Sequence, residues 1–109
     1  MGREIEFLET LSPRESDRLR VWAWIEKGIV TSFVVQYEAM IEGRWHPVVR
    51  YDTAHGFAHR DLMRPRGAPE KQPIAVADLN SAFTFAIRDV RVLWKQYRAG
   101  YEQELSRGA

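Results

Sequence analysis

The side chains that could do chemistry are concentrated in twelve residues near the middle of the chain. This segment holds two arginines, two aspartates and two histidines: Arg50, Asp52, His55, His59, Arg60 and Asp61. Histidines exchange protons near neutral pH, and arginines bind phosphate through paired hydrogen bonds. We therefore predict acid–base chemistry on a phosphodiester, in which the histidines carry protons and the arginines bind the phosphate. One of the two aspartates, Asp52 or Asp61, would orient an imidazole.

The same segment allows two other interpretations. A turn that brings His55 and His59 close to an aspartate would form a donor set suited to Zn²⁺, Mn²⁺ or Fe²⁺. The chain has neither an HExxH motif nor a cysteine, so we predict no metal and no other cofactor. The third interpretation is structural: the arginines and aspartates form ion pairs, and the histidines lie in a hydrogen-bonded turn.

Length and composition limit the class of protein. The 109 residues suffice for one compact domain, residues 1–109, with its own core. The net charge is +1, but residues 44–71 carry six Lys/Arg against three acids, which favours an anionic partner such as RNA or a nucleotide. No apolar run is long enough to span a bilayer. We therefore expect no membrane partner, and the absence of cysteine fits a cytoplasmic protein.

Alternation of apolar and polar residues predicts strands from Leu19 onward. Before that point, residues 1–11 are expected to fray, and a serine followed by proline and glutamate predicts a short helix over residues 13–17. Two segments that end in glycine, 26–28 and 41–43, predict three-residue hairpin turns. Residues 58–63 are expected to form a fourth strand, and residues 64–73, which contain three prolines, are expected to form a loop.

The predicted hairpins give the sheet one apolar face and one polar face. Leu19, Val21 and Ala23 fall on the apolar face, and the register places Ile25 opposite Ile29. Pro47 cannot donate a ladder hydrogen bond, so a bulge is expected there. The opposite face is predicted to hold the following side chains: Trp22, Trp24, Gln36, Glu38, Arg44, His46, Arg50 and Asp52. On that face Glu38 should lie opposite His46, and Arg50 should lie near Val34.

The two indoles of Trp22 and Trp24 would form an apolar patch on the polar face. Such patches mark interfaces more often than they stack nucleobases. We therefore expect the two tryptophans to bind a partner, which could be a second copy of the chain.

A long amphipathic helix ends the predicted fold. Asp78 is a good helix cap, and apolar residues recur from Leu79 to Leu105 at spacings of three and four. This stripe should cover the apolar face of the sheet. The sequence therefore predicts an α+β fold with a four-stranded antiparallel meander and one long C-terminal helix.

Several motifs resemble those of known families. Over residues 20–101 the chain resembles a family of short bacterial proteins of unknown function. Four segments carry this resemblance: R-Y-D-T-A-H-G-F-A-H-R-D, F-V-V-Q-Y-E-A, G-R-W-H-P-V-V and A-F-T-F-A-I-R-D-V. More distantly, an Arg-aromatic-Asp followed by histidines resembles the TumE-like toxins of toxin–antitoxin pairs. Those toxins have an asparagine where this chain has Thr53. The positions that match are Arg50, Asp52, His55 and His59.

The resemblance and the ionisable segment together lead to one functional hypothesis and one alternative. The hypothesis is a toxin-like effector that acts on RNA or a nucleotide phosphate and is paired with an antitoxin-like protein. The alternative is a non-enzymatic interaction domain that forms a homodimer or binds a protein partner.

Overall fold

Six antiparallel strands and one long helix form the fold, which the computed structural model describes for residues 1–108, with His55 described by its backbone alone. The elements are β1 (Gly2–Thr10), β2 (Asp17–Glu26), β3 (Ile29–Ile41), β4 (Arg44–Asp52), β5 (His59–Leu62), β6 (Glu70–Pro73) and α1 (Leu79–Arg107). The strands pair in chain order, which makes the sheet a meander. The predicted α+β class, antiparallel sheet and C-terminal helix are confirmed, but the sheet has six strands, not four.

The two additional strands lie at the two edges of the sheet. β1 comprises residues that were expected to fray, and it pairs with β2 along its whole length, from Gly2 opposite Glu26 to Thr10 opposite Arg18. β6 lies in the segment predicted to be a loop, and it pairs with β5. Pro73 is the last residue of β6, a position at which an edge strand tolerates proline. Both edge strands have weak apolar alternation, and so the sequence pattern did not reveal them.

The predicted short helix over residues 13–17 is not formed. Residues 11–16 instead make the turn between β1 and β2. The Ser12 hydroxyl accepts a hydrogen bond from the backbone N–H of Ser16 at 3.2 Å. The backbone N–H of Leu11 donates to the carbonyl of Asp17 at 2.8 Å. Pairing of β1 with β2 reverses the chain within these few residues and leaves no room for a helical turn.

Both long hairpins turn on two residues, where the sequence predicted three. At Lys27–Gly28 the φ angles are 49° and 76°, and at Glu42–Gly43 they are 52° and 79°. Positive φ at both central residues defines the turn whose twist matches that of the flanking strands. Between such a turn and the next β-bulge, each residue pairs with a partner one position away from the predicted one. Side chains in that stretch of one strand therefore lie on the face opposite to the predicted face.

A β-bulge in each hairpin then restores the predicted faces. The pairing shifts between Trp24 and Ile25 in β2, and between Tyr37 and Glu38 in β3. The second shift lies beside Pro47, which confirms the predicted bulge. Each bulge adds one residue to one strand, so that beyond it the displacement is two residues and the side chains return to the predicted face. Ile25 thus pairs with Val30, not with Ile29, yet Val21 and Leu19 still face the helix.

Helix α1 covers the apolar face of the sheet. Its N-terminus is capped as predicted, because the Asp78 carboxylate accepts a hydrogen bond from the Ser81 backbone N–H at 2.7 Å. Small buried residues on the helix, Ala82 and Ala86, allow its backbone to approach the strands closely. The fully buried larger side chains beneath it are Leu19, Val21, Phe33, Val35, Tyr37, Val49 and Tyr51. Each contributes roughly 1.5–3 kcal/mol when it leaves water.

A buried polar cluster joins the end of β3 to the helix. The Asp17 carboxylate, 3% exposed, accepts hydrogen bonds from the Tyr37 hydroxyl and, at 2.9 Å, from Arg98 of α1. The Arg98 guanidinium also donates to the backbone carbonyls of Ser16 and Met40, at 3.1 and 3.0 Å. A buried charge is stable only when it is paired and hydrogen-bonded, so this cluster fixes the position of the helix on the sheet.

Candidate functional site

Cross-strand pairing of β4 and β5 brings four of the predicted site residues together. Arg50 pairs with Asp61, and Asp52 pairs with His59. Residues that are directly opposite, or two apart on one strand, project from the same face of a sheet. Here that face is the one opposite α1, because the intervening Tyr51 packs beneath the helix. Arg50 pairs with Gln36 of β3, where Val34 was predicted as its neighbour.

Asp52 is the most highly connected side chain in this group. One of its oxygens, Oδ1, lies 2.9 Å from His59 Nε2 and accepts from the Ala54 backbone N–H at 3.2 Å. The other, Oδ2, accepts from Arg50 Nε at 2.9 Å. Burial opposes ionisation, yet these contacts together hold the pKa of the Asp52 carboxyl below its ordinary value. Asp52 is therefore a carboxylate that fixes the orientation of the His59 ring.

Two polar atoms in this cluster are buried and have no hydrogen-bond partner within the described part of the chain: His59 Nδ1 and Asp61 Oδ1. Both residues are 7% exposed. The charged group near Asp61 is Lys71 of β6, whose Nζ lies 3.5 Å from Oδ1. One donor atom each from Asp52, His59 and Asp61 lie within 4.8 Å of one another. We call this group the Asp52–His59–Asp61 cluster.

A shallow depression lies beside the cluster at the β5–β6 edge. His59 and Lys71 line it together with Phe57 and Pro73. The Phe57 ring is 55% exposed and its centroid lies 5.8 Å from that of His59. The Lys71 side chain is 67% exposed. The depression therefore combines an apolar wall, an exposed cation and the ring of the buried histidine.

Arg60, predicted as a second phosphate clamp, lies on the other face of the sheet. Because β5 alternates, Arg60 points toward α1 when His59 and Asp61 point away. Its guanidinium donates to the Tyr51 and Tyr97 hydroxyls, at 3.1 and 3.0 Å, and lies 3.5 Å from Asp89 of the helix. Arg60 thus belongs to a cluster under the helix, and its role in phosphate binding stays a prediction.

The hydroxyls of that second cluster are held firmly in the neutral state. Tyr51 and Tyr97 both donate to the same Asp89 oxygen. Burial and the hydrogen bond to Asp89 raise the pKa of Tyr51 above its ordinary value, and the same causes raise the pKa of Tyr97. This cluster resembles that of Asp17 in composition and joins β4 to α1 in the same manner.

His46 lies outside the Asp52–His59–Asp61 cluster. His46 lies opposite Ala39 and therefore on the helix face. The residue opposite Glu38 is Pro47, not His46 as predicted. The His46 ring centroid lies 6.1 Å from that of Tyr101, so its predicted position on the polar face is wrong. The reason is its location between the two-residue turn and the bulge. His55 belongs by its backbone to a short 3-10 turn, Ala54–Gly56, and its side chain lies outside the described residues.

Trp22 and Trp24 lie on the face opposite the helix, as predicted, and both are half-buried. The Trp24 indole N–H donates to Glu26 at 3.1 Å. Farther along the same face, Glu38 binds Arg18 at 2.6 Å and Arg20 at 3.1 Å. These arginines and the glutamate form a structural ion-pair group between the tryptophans and the turn that joins β1 to β2.

Sequence reasoning missed Lys71, and it placed Gln36 on the correct face without pairing it with Arg50. Gln36 accepts from Arg50 Nη1 at 3.2 Å, and Lys71 pairs with Asp61 across β5 and β6. Lys71 was missed because β6 was taken for a loop. Even with β6 recognised, the face of Lys71 depends on the register of β6 on β5, which places Lys71 opposite Asp61.

Comparison with known proteins gives a family but no activity. No helix among residues 1–108 is long and apolar enough to cross a membrane. No curated protein and no solved structure matches the chain, so the likeness to TumE-like toxins stays a prediction. The family described as Domain of unknown function (DUF7718) matches residues 2–107. Because this match spans nearly the whole chain, the protein belongs to the DUF7718 family.

Proposed function

We propose that this protein is a toxin-like effector that acts on RNA or on a nucleotide phosphate by acid–base chemistry. The observation that carries the proposal is the 2.9 Å contact between Asp52 Oδ1 and His59 Nε2, together with a His59 Nδ1 that is buried and has no hydrogen-bond partner in the described part of the chain. An imidazole that donates from one nitrogen to a carboxylate presents the lone pair of the other nitrogen as a base.

The residues around His59 supply the remaining roles. His59 would take the proton from the attacking hydroxyl, and Asp52 would stabilise the imidazolium that results. Arg50, with a side chain 38% exposed, and Lys71 would bind the phosphate oxygens. Asp61, a buried carboxylate, would accept a hydrogen bond from the attacking group. His55 is proposed as the acid that protonates the leaving oxygen.

The test is cleavage of single-stranded RNA by purified protein, paired with growth inhibition on expression. His59→Gln and Asp52→Asn should each lower the cleavage rate by about 100-fold or more, and His55→Ala should lower it as well. His46→Gln is the matched control, because His46 lies on the other face, and it should cleave RNA at the parent rate.

A further variant guards against loss of folding. Arg50→Gln with Lys71→Gln removes two partly exposed cations and should raise KM more than it lowers kcat. Cleavage and growth inhibition that persist unchanged in the His59 and His55 variants would refute the proposal. An effector of this kind also needs a neutralising partner, so we expect a neighbouring reading frame that encodes an antitoxin-like protein.

Self-association is a second candidate function, favoured by the face opposite the helix. Trp22 and Trp24 lie there half-buried, and Leu8 beside them is 55% exposed. Glu6 flanks Trp22 across the strand pair, and Arg20 flanks Leu8. A second copy related by a two-fold axis could therefore place acid against arginine around a shared apolar centre. We propose a homodimer through this surface.

Light scattering measures this directly. The parent chain should have the mass of a dimer at micromolar concentration, and the Trp22→Ala, Trp24→Ala double variant should have the mass of a monomer. Val92→Ser changes an apolar residue that is 76% exposed on the helix and should leave the dimer intact. A parent that stays monomeric at all concentrations tested would exclude this candidate.

A further inference from the structure

We propose that Asp52, His59 and Asp61 also bind a divalent transition-metal ion, with Zn²⁺ as the best match to the donor set. This site goes beyond the proposed function, since it rests on the positions of the donor atoms and requires no RNA. The three residues come from two paired strands, β4 and β5, which hold them more rigidly than a loop would.

The donor atoms lie close to one another. One atom from each residue lies within 4.8 Å of the other two. Ligands bound to one ion at about 2.0–2.2 Å are separated from each other by at most about twice that distance. Small side-chain rotations would therefore bring all three atoms into contact with a single ion, without movement of the strands.

Two of the donor atoms are buried without a hydrogen bond to any described residue. His59 Nδ1 and Asp61 Oδ1 are buried and have no hydrogen-bond partner within the described part of the chain. A buried polar atom without a partner costs free energy. A metal–ligand bond would remove that cost at His59 Nδ1, whereas Asp61 Oδ1 already lies 3.5 Å from Lys71 Nζ. If Nε2 is the ligand, Asp52 binds the ion beside it. If Nδ1 is the ligand, Asp52 keeps its 2.9 Å contact with Nε2 and orients the ligating imidazole.

The chemistry of the donor atoms favours a transition-metal ion. One imidazole and two carboxylates form a mixed nitrogen and oxygen set, which suits Zn²⁺ or Mn²⁺ better than Mg²⁺ or Ca²⁺. Two neighbouring cations would repel the ion: Arg50, which lies 2.9 Å from Asp52, and Lys71, which lies 3.5 Å from Asp61. Lys71 is 67% exposed along its side chain, so it can move into solvent when an ion enters.

Calorimetric titration of chelator-treated protein with ZnCl₂ and, separately, MgCl₂ tests the site. We expect one equivalent of Zn²⁺ to bind and Mg²⁺ to bind at least tenfold more weakly. Asp61→Asn and His59→Gln should each weaken Zn²⁺ binding by about tenfold or more. His46→Gln should bind as the parent does. Circular dichroism of each variant checks that the sheet is retained.

Lys71→Gln gives a second measurement that does not depend on altering a buried residue. Removal of a cation 3.5 Å from Asp61 should strengthen Zn²⁺ binding by a few-fold, since the competing charge is gone. Absence of Zn²⁺ binding by the parent would overturn the proposal. So would parent-like binding by both Asp61→Asn and His59→Gln, because the ion would then lie elsewhere.

The ion and the proposed acid–base chemistry would use the same imidazole, that of His59. The effect of Zn²⁺ on RNA cleavage therefore distinguishes the two proposals. Zn²⁺ on His59 would occupy the base, so loaded protein should cleave RNA more slowly than chelator-treated protein. Titration without RNA reports on the metal site even if no cleavage is ever seen. Cleavage that requires Zn²⁺ would support the metal site and refute the role of His59 as the base.

Discussion

Replacing Asp17 with asparagine should lower the free energy of unfolding by about 2–4 kcal/mol. Asp17 is 3% exposed and accepts from Tyr37 and from Arg98, and hydrogen bonds to a charged group contribute about 1.5–3 kcal/mol each. Asparagine keeps one acceptor oxygen. Arg98 keeps its two backbone carbonyls and is 22% exposed, so the loss stays below that of a fully orphaned buried charge.

Urea unfolding followed by tryptophan fluorescence measures this loss. Glu102→Gln is the matched control, because Glu102 also lies 3.4 Å from Arg98 but is 48% exposed; it should change stability by less than about 0.5 kcal/mol. Asp17→Asn combined with Arg98→Met should cost less than the sum of the single changes, since the two side chains interact. An Asp17→Asn protein within about 0.5 kcal/mol of the parent, with an unchanged slope, would refute the reasoning.

The same carboxyl predicts a loss of stability in acid. Burial opposes ionisation of Asp17, yet the hydrogen bonds from Tyr37 and Arg98 hold its pKa below the ordinary value. A carboxyl with a lowered pKa in the folded state stabilises the protein above its unfolded pKa of about 4. That contribution is lost as the pH falls through the lower folded value. The difference in stability between the parent and Asp17→Asn should therefore shrink below about pH 4.

Three further predictions concern alkaline stability, one turn and one hydroxyl. Burial and an acidic partner raise the pKa of Tyr37 and of Tyr51. The stability that these two hydroxyls contribute is therefore complete below about pH 10 and is lost as the pH rises above it. Tyr51→Phe should weaken this pH dependence of the free energy of unfolding, measured by urea titration. Gly28 has φ +76° and open space around it, so Gly28→Ala should cost about 1–2 kcal/mol from backbone strain alone. Thr53 Oγ1 accepts a backbone hydrogen bond from β3 at 3.0 Å, so Thr53→Val should cost about 1 kcal/mol and Thr53→Ser much less.

Each of these has a result that would contradict it. An unchanged alkaline profile in Tyr51→Phe would mean that the hydroxyl does not titrate with unfolding. Gly28→Ala at parent stability would show that the turn adapts to negative φ. A valine variant at parent stability, with a loss only in the serine variant, would assign the effect of Thr53 to its methyl group and not to the hydrogen bond.

Much of the fold could be predicted because its causes are local. From Leu19 onward, apolar and polar residues alternate, and the apolar residues are those that become buried. This pattern can be recognised by comparing residue types two positions apart in the sequence. The helix could be recognised from the Asp78 cap and the spacing of its apolar residues. Neither edge strand has such a pattern, since β1 is mostly exposed and β6 is four residues long; each exists because a neighbouring strand offers free backbone groups.

The chemical segment could likewise be found from the sequence, because its residue types are unusual together. The sequence did not determine which members meet. Pairing of β4 with β5 decides that Asp52 contacts His59 and that Arg60 faces the helix, and pairing of β5 with β6 brings Lys71 to Asp61. A shift of one residue in either register would exchange the two faces. Composition and spacing determined a sheet, a helix and an ionisable segment; the long-range register, which depends on turns and bulges, decided what forms a cluster.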